Sequence, residues 1–365
     1  MNTPPFNALP LSDLTLEFTR AGVSSHQAKV TFKAMHRLGV LDGAQMPEVS
    51  AAGKKFLASQ PELPRVLIED SKRALDGTIK LRVKTPHGEA VESVAIPARG
   101  RLTLCVSSQA GCAAACAFCH TGTMGLLRNL ETWEIVEQVR AAQSFLDAIP
   151  ENEWLGEGVP RRISNIVFMG MGEPLHNEDN VVRACRILND DTGLGLSRRR
   201  LVMSTAGVGN RIRPFWERGV ASLALSLHAT TDETRSRIVP LNRTWNLAEL
   251  KSILQSIPWA ARESVTIAYL LLDGINDTHA DAERLAAWVD GLPAKVNLLE
   301  FNPFPGSEFK RSSPERLAEF RQWLYELGVF NTLRHSRGDD VMAACGQLAT
   351  EGRAKKKRPS DVKSM

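Results

Sequence analysis

Apolar residues return at helical intervals between positions 11 and 38, where Leu14, Phe18, Val23, Ala28, Val30, Phe32, Met35 and Leu38 mark one side of the chain. That period predicts an N-terminal helical segment. A polar stretch follows. Two runs rich in branched residues come next, 78–83 and 91–96, with the turn signals Asp76-Gly77 and His87-Gly88 around them. From Arg101 the pattern changes to short apolar runs of buried-strand length, at 102–107, 165–169, 201–204, 222–227, 265–271, 296–301 and 332–335. Helical periods separate them, over 132–149, 180–188, 247–257, 280–292 and 314–327. The first of these is the clearest, because Ile135, Val136, Val139, Ala142, Phe145, Leu146 and Ile149 share a face and Pro150 ends the run.

Strands alternating with helices imply right-handed β-α-β units on a parallel sheet. The fold class expected is α/β, a partial (β/α)6 TIM-type barrel of about 240 residues with ligands at the C-terminal ends of its strands. Four divisions are expected: a small helical accessory domain at residues 1–75 and a β-rich connector at 76–97, then the core barrel at 98–340 and a C-terminal segment at 341–365.

Composition narrows the class. Of 365 residues, 43% are hydrophobic and 24% charged, and no uninterrupted apolar run approaches the roughly 18 residues of a membrane span. The first residues show neither the basic start and apolar stretch of a secretory signal nor the arginine-rich look of a transit peptide, so a cytoplasmic location is expected. The net charge is only +4, less than the five positives of Arg353, Lys355, Lys356, Lys357 and Arg358. A basic C-terminal tail therefore sets the sign. Such a run is most often solvated and sometimes a phosphate-binding arm. Arg198, Arg199 and Arg200 form a second basic cluster at a strand entrance.

Six cysteines are too few for a disulfide scaffold, and four of them, Cys105, Cys112, Cys116 and Cys119, crowd together. Cys112, Cys116 and Cys119 follow the first barrel strand with C-x3-C-x2-C spacing on one loop. A [4Fe-4S] cluster takes one thiolate per iron, so three leave one iron open to an outside ligand. Zinc is the alternative and would take His120 or Cys105 as a fourth ligand. Position favours iron and sulfur, since the run opens a β-α barrel where cofactors bind. Cys185 falls on a predicted helix beside Ala184 and Ile187 and reads as core.

The C-x3-C-x-Phe-C run after the first strand resembles the signature of radical S-adenosylmethionine (SAM) enzymes. The likeness extends through Met169-Gly170-Met171-Gly172-Glu173-Pro174, Ser204-Thr205-Ala206-Gly207, Ser226-Leu227-His228, Asn302-Pro303-Phe304-Pro305-Gly306, and Arg337-Gly338-Asp339-Asp340 through Cys345-Gly346-Gln347-Leu348. These ordered motifs are similar to those of the RlmN/Cfr family of adenosine-methylating RNA enzymes. The resemblance spans about residues 76–348, and His120 stands where a smaller residue would be expected.

The resemblance implies a radical route, because the C2 and C8 carbons of adenine are electron-poor and closed to direct displacement on SAM. It implies a [4Fe-4S] cluster held by Cys112, Cys116 and Cys119, with two SAM consumed per methylation. Cys345 would accept the first methyl as a thiolate nucleophile and become S-methylcysteine. Cys105 would form a transient disulfide with Cys345 to release the product. Glu92 would be the proton acceptor. Gly172, Glu173, Ser204, Ser226, Leu227, His228 and Asn302 would bind the cofactor. The implied substrate is 23S ribosomal RNA at the peptidyl-transferase centre, with transfer RNA beside the anticodon as a second target. A monomer served by a flavodoxin-type or other low-potential electron donor is expected. Alternatives are a C8-methylating enzyme, a radical SAM enzyme with another substrate, and a non-catalytic zinc or iron-sulfur RNA-binding module.

Overall fold

The structure, a computed structural model, describes residues 4–350, so the basic run at 353–358 lies outside the described residues. Two helices, α1 (Leu11–Arg20) and α2 (Ser25–His36), replace the single helical segment expected over 11–38. Gly22 separates them at φ 72°, a left-handed turn that a side chain resists. A third helix, α3 (Ala51–Ala58), starts where Ser50 Oγ accepts from the Gly53 N–H, in the stretch read only as polar. Phe6, Phe18 and Phe56 close this region with ring centroids 5.0–6.0 Å apart.

The strands β1 (Leu67–Arg73), β2 (Ile79–Lys84), β3 (Ala90–Ala98) and β4 (Arg101–Cys105) pair in sequence order, each antiparallel to the last. The division expected at residue 75 falls inside the β1–β2 hairpin, because β1 precedes it and is exposed and polar enough to escape an apolar pattern. After β4 come a short strand β5 (Gln109–Gly111), helix α4 (His120–Met124) and strand β6 (Leu126–Asn129), followed by α5 (Thr132–Asp147). The alternation then runs β7 (Asn165–Phe168), α6 (Glu178–Asn189), β8 (Leu201–Thr205), α7 (Gly209–Glu217), β9 (Ser222–Ser226), α8 (Asp232–Ile238), α9 (Leu247–Gln255), β10 (Val265–Leu271), α10 (His279–Val289), β11 (Ala294–Glu300), α11 (Pro314–Glu326) and β12 (Asn331–Arg334).

Among the described residues these strands form one ten-stranded sheet, ordered β1-β2-β3-β4-β7-β8-β9-β10-β11-β12, and a separate β5–β6 pair. From β4 to β12 every neighbour is parallel. Six crossovers therefore join seven parallel strands, and β1 and β12 are the open edges of a partial barrel. Register puts Cys105 opposite Val167, Phe168 opposite Met203, Thr205 opposite Leu225 and Ser226 opposite Ala268, so the strands end along a common rim.

One apolar interior runs from Phe6 through the barrel strands to Leu348. A second apolar group, including Cys112, Ala206, Ile238, Val239, Leu270 and Phe301, caps the rim. No helix of the described residues is long and apolar enough to cross a membrane.

Candidate active site at the rim of the barrel

The loop carrying three cysteines does not follow the first barrel strand directly, because β5 intervenes and pairs with β6. That pair clasps the two ends of the loop. Gly111 is held at φ 75°, and a Cβ there would lie 1.9 Å from the Gly125 carbonyl oxygen, which accepts from the Cys112 N–H at 3.0 Å. Inside the loop the Cys119 N–H donates to Cys116 O at 3.1 Å and the Gly122 N–H to Cys119 O at 3.0 Å. A Cβ on Gly122 would meet Cys116 O at 2.8 Å. Only glycine fits either position.

The Ala114 N–H points at Cys112 Sγ, 3.4 Å away. Burial pushes the Cys112 thiol up to about 12, and the nearby charges of Cys119 and Glu173 push the same way. Cys116 is raised well above the ordinary thiol range by burial and then by Cys119 and Cys112, and burial raises Cys119. Three mutually repelling thiols in an apolar shell become thiolates only beside a strongly cationic centre. This soft donor set fits an iron-sulfur cluster. It does not fit one tetrahedral ion, because among the described residues no three His, Cys, Asp or Glu converge on a point. Of the fourth ligands considered for zinc, Cys105 is buried near Cys345, and the His120 ring stacks on Phe304 at 5.0 Å with its Nδ1 buried and unpartnered among the described residues.

The residues expected at the cofactor lie along the neighbouring strand ends. Gly172 has φ 107°, and a Cβ there would meet Gln109 Cβ at 2.7 Å. Glu173 is buried, with Oε2 accepting from the Ala206 N–H at 2.7 Å and Oε1 from the Leu175 N–H at 3.0 Å. Burial raises its pKa against those two hydrogen bonds. The hydroxyls of Ser204 and Ser226 lie 3.3 Å apart across β8 and β9. The Leu227 N–H donates to Ala268 O at 3.0 Å. His228 sits at φ 59° and accepts from the Leu270 N–H through Nδ1 at 3.0 Å, which leaves its proton on Nε2. Burial, and then Arg235, lowers its pKa to about 3, so the ring is neutral.

The segment after β12 brings Cys345 to this rim. Its backbone is tied to the cluster loop by His120 N–H to Gly346 O at 2.7 Å and Thr121 Oγ1 to Leu348 O at 2.5 Å. Asn302 Nδ2 donates to Cys345 O at 3.2 Å, while Gln347 Nε2 donates to Pro303 O at 2.9 Å and Asp339 Oδ1 at 2.7 Å. Cys345 is exposed and Cys105 buried, yet they are close enough for the charge of Cys345 to raise the Cys105 thiol beyond what burial alone does. Cys185 is buried in the α6 core.

Glu92 reaches the same segment from β3. Its Oε2 accepts from the Ala349 N–H at 3.0 Å and its Oε1 lies 3.2 Å from Lys80 Nζ. Burial raises the Glu92 pKa, and Lys80 opposes the rise. Lys80 also donates to Met342 O at 3.2 Å, so the pair grips both ends of the Cys345 loop. Sequence reading missed Lys80. The signal was available: the turn at Pro86-His87-Gly88 sets the register that places Arg82 opposite Glu92, and Lys80, two residues back, shares that face. Arg235 was missed as well, being one charge in a polar segment of α8.

A sequence profile of the radical SAM superfamily matches residues 106–286. Over 97% of its length the chain is 42% identical to a Cereibacter sphaeroides protein named dual-specificity RNA methyltransferase RlmN, covering 92% of that protein. A Paracoccus denitrificans protein of the same name is 43% identical over 91% of this chain and 86% of its own. The crystal structure of a radical SAM methyltransferase from Sphaerobacter thermophilus is similar with a TM-score of 0.84 and 37% identity, over 95% of this chain and 99% of that one.

Proposed function

Because the chain belongs to the radical SAM superfamily and, within it, to the RlmN RNA methyltransferases, we propose that it methylates C2 of adenosine in 23S ribosomal RNA and in transfer RNA. The ribosomal target would lie at the peptidyl-transferase centre and the transfer-RNA target beside the anticodon. Cys112, Cys116 and Cys119 would hold a [4Fe-4S] cluster by one thiolate each, leaving an iron for the amino and carboxylate groups of SAM. When bound, cluster and SAM supply a methyl group and a 5′-deoxyadenosyl radical, with two SAM consumed per product.

The remaining steps fall to side chains of this protein. Cys345, exposed and flanked by Ala344 and Gly346, takes a methyl on sulfur and presents it to the adenine. Glu92 accepts the proton from the methylated carbon. Its burial strengthens proton uptake, and the charge of Lys80, 3.2 Å away, opposes that rise by favouring the carboxylate. Cys105 then attacks the Cys345 sulfur, forming a disulfide as the product leaves. Gly172, Glu173, Ser204, Ser226, Leu227, His228 and Asn302 line the cofactor side of the rim. The observation that carries the proposal is the Cys345 segment tied to the three-thiol loop by the His120 N–H to Gly346 O and Thr121 Oγ1 to Leu348 O bonds, with Cys105 near enough to feel the charge of Cys345.

RNA would be held through phosphate contacts from the N-terminal segment and from Arg199 and Arg200, which are exposed while Arg198 pairs with Glu263 at 2.7 Å. A monomer in the cytoplasm, reduced by a flavodoxin-type donor, completes the picture. The test is mass spectrometry of nucleosides from RNA incubated with anaerobically reconstituted protein, SAM and reductant. It should yield 2-methyladenosine; 8-methyladenosine alone, or no methylated adenosine from protein that makes 5′-deoxyadenosine, overturns the proposal.

A further inference from the structure

Beside the cluster loop the interior holds a cation that touches no anion. Arg235 on α8 is fully buried, and its guanidinium donates to neutral acceptors: Nε to Leu227 O at 3.0 Å, Nη1 to Asn242 Oδ1 at 2.9 Å, and Nη2 to Ala206 O at 2.7 Å and Ser226 O at 3.2 Å. Asp232, on the same helix, is occupied instead by Asn242 Nδ2 and the Leu247 N–H, both at 3.0 Å. Among the described residues Arg235 forms no ion pair. A charge taken out of water without a partner is strongly unfavourable, and burial draws this guanidinium down to about 10. Carbonyl dipoles compensate part of that penalty. Asp232 acts on the guanidinium only through space, and no anion is in direct contact.

The position of α8 says where a counter-charge would lie. Ala117, between Cys116 and Cys119, donates its N–H to Ile238 O at 2.9 Å, at the end of the helix. Ile238 and Val239 pack in one apolar group with Cys112, Cys116 and Ala206. Arg235 and Cys116 each feel the charge of the other. Three thiolates around an iron-sulfur core carry a net negative charge, which grows by one when the cluster takes an electron from a low-potential donor.

We propose that Arg235 is the fixed counter-charge of the cluster site: a buried guanidinium, anchored on the strand-end carbonyls of Ala206, Ser226 and Leu227, that stabilises the reduced cluster. The proposal rests on Cys112, Cys116 and Cys119 being the ligands. Reduction adds one electron to the cluster and moves no proton to or from Arg235. A positive charge close by favours the more negative, reduced state, so its loss lowers the midpoint potential. A tenfold fall in the reduced-to-oxidised ratio at fixed potential corresponds to a shift of about 59 mV for one electron.

The alternative is a merely structural pin on those carbonyls. Arg235→Lys keeps the charge and loses the fork, whereas Arg235→Gln and Arg235→Met lose both, and a buried ion replaced by a residue of similar volume is often tolerated. Each variant and the wild type would be reconstituted with iron and sulfide and titrated electrochemically, the reduced cluster being read by electron paramagnetic resonance without SAM or RNA. The expected result is a reduced-to-oxidised ratio at least tenfold lower in the Gln and Met variants, with Lys near wild type. Loss of the cluster from both neutral variants while Lys retains it also supports the proposal. An unchanged potential in a neutral variant with a full complement of iron overturns it, as does equal loss of the cluster in all three. A wild type that assembles no cluster fails differently and removes the ligand assignment itself.

Discussion

At the scale of single residues, the chemistry rests on unequal partners. Cys105 is buried and held far toward the neutral thiol, whereas Cys345 is the more exposed residue; burial of its sulfur raises its pKa, and the nearby charge of Arg334 opposes that rise. The exposed one is suited to meet a methyl donor first. Cys345→Ala is therefore expected to abolish adenosine methylation with iron content unchanged, measured by nucleoside mass spectrometry and iron assay. Cys105→Ala should stop one step later, leaving RNA covalently attached to Cys345; a slowly migrating protein–RNA species on a denaturing gel checks this. Glu92 gives a pH prediction. Burial raises its pKa, with Lys80 first among the groups that lower it and Arg82 a further one. A base must be deprotonated, so activity rises with pH through its pKa. Lys80→Met removes the lowering charge and should move the acid limb of the rate profile to higher pH, whereas Lys80→Arg should restore it. An unmoved limb would exclude Glu92 as the group that titrates.

At the scale of elements, what the sequence made legible was what the core reads. The run 265–271 was read at its observed bounds because β10 is buried along nearly its whole length. Clasps and polar crossovers were not legible: β5 and β6 are Gln-Ala-Gly and Leu-Leu-Arg-Asn, and α8 is Asp-Glu-Thr-Arg-Ser-Arg-Ile. Their reason lies in tertiary contacts that no local period records. The candidate site follows the same rule, since motif spacing exposed the loop thiols, the partner of Glu92 was reachable only by working out the hairpin register, and the buried Arg235 needed the folded chain. The β5–β6 clasp is testable through Gly111→Ala, whose Cβ would collide with Gly125 O at 1.9 Å in a left-handed position. Such a protein should fold but reconstitute with far less iron per chain. His36 at the end of α2 offers a stability test. Its ring meets that of Phe32 at 4.4 Å and a tilt of 56°, its Nε2 has no partner among the described residues, and burial lowers its pKa from 6.5 to about 3. Between those values the unfolded chain binds the proton and the folded one does not. Stability is therefore full above pH 6.5 and falls as the pH drops, by about 1.4 kcal/mol per unit inside the window. His36→Leu should flatten that part of the melting-temperature profile.

At the scale of the whole molecule, the question is whether the N-terminal helices behave as a separate body. Their apolar residues belong to the same continuous interior as the barrel strands: Phe18, Phe32 and Met35 are fully buried in one core with Leu104, Ile166 and Leu298. Gly193, between α6 and β8, leaves space for Phe32 and His36, since a Cβ on it would lie 3.1 Å and 3.3 Å from them. The β1–β2 hairpin carries the barrel sheet back across the expected boundary. A shared core and a shared sheet make loss of packing at one end a loss for all of it. Phe18→Ala removes the ring that meets Phe6 and Phe56, and should destabilise the chain by about 3–5 kcal/mol. The discriminating feature is where that loss registers. With a continuous core, the denaturation midpoint read from overall helicity and the midpoint read from the visible absorbance of the reconstituted cluster should fall together, by the same amount. Were the N-terminal region an independent domain, the variant would melt it first and leave the cluster midpoint in place, and the two curves would separate.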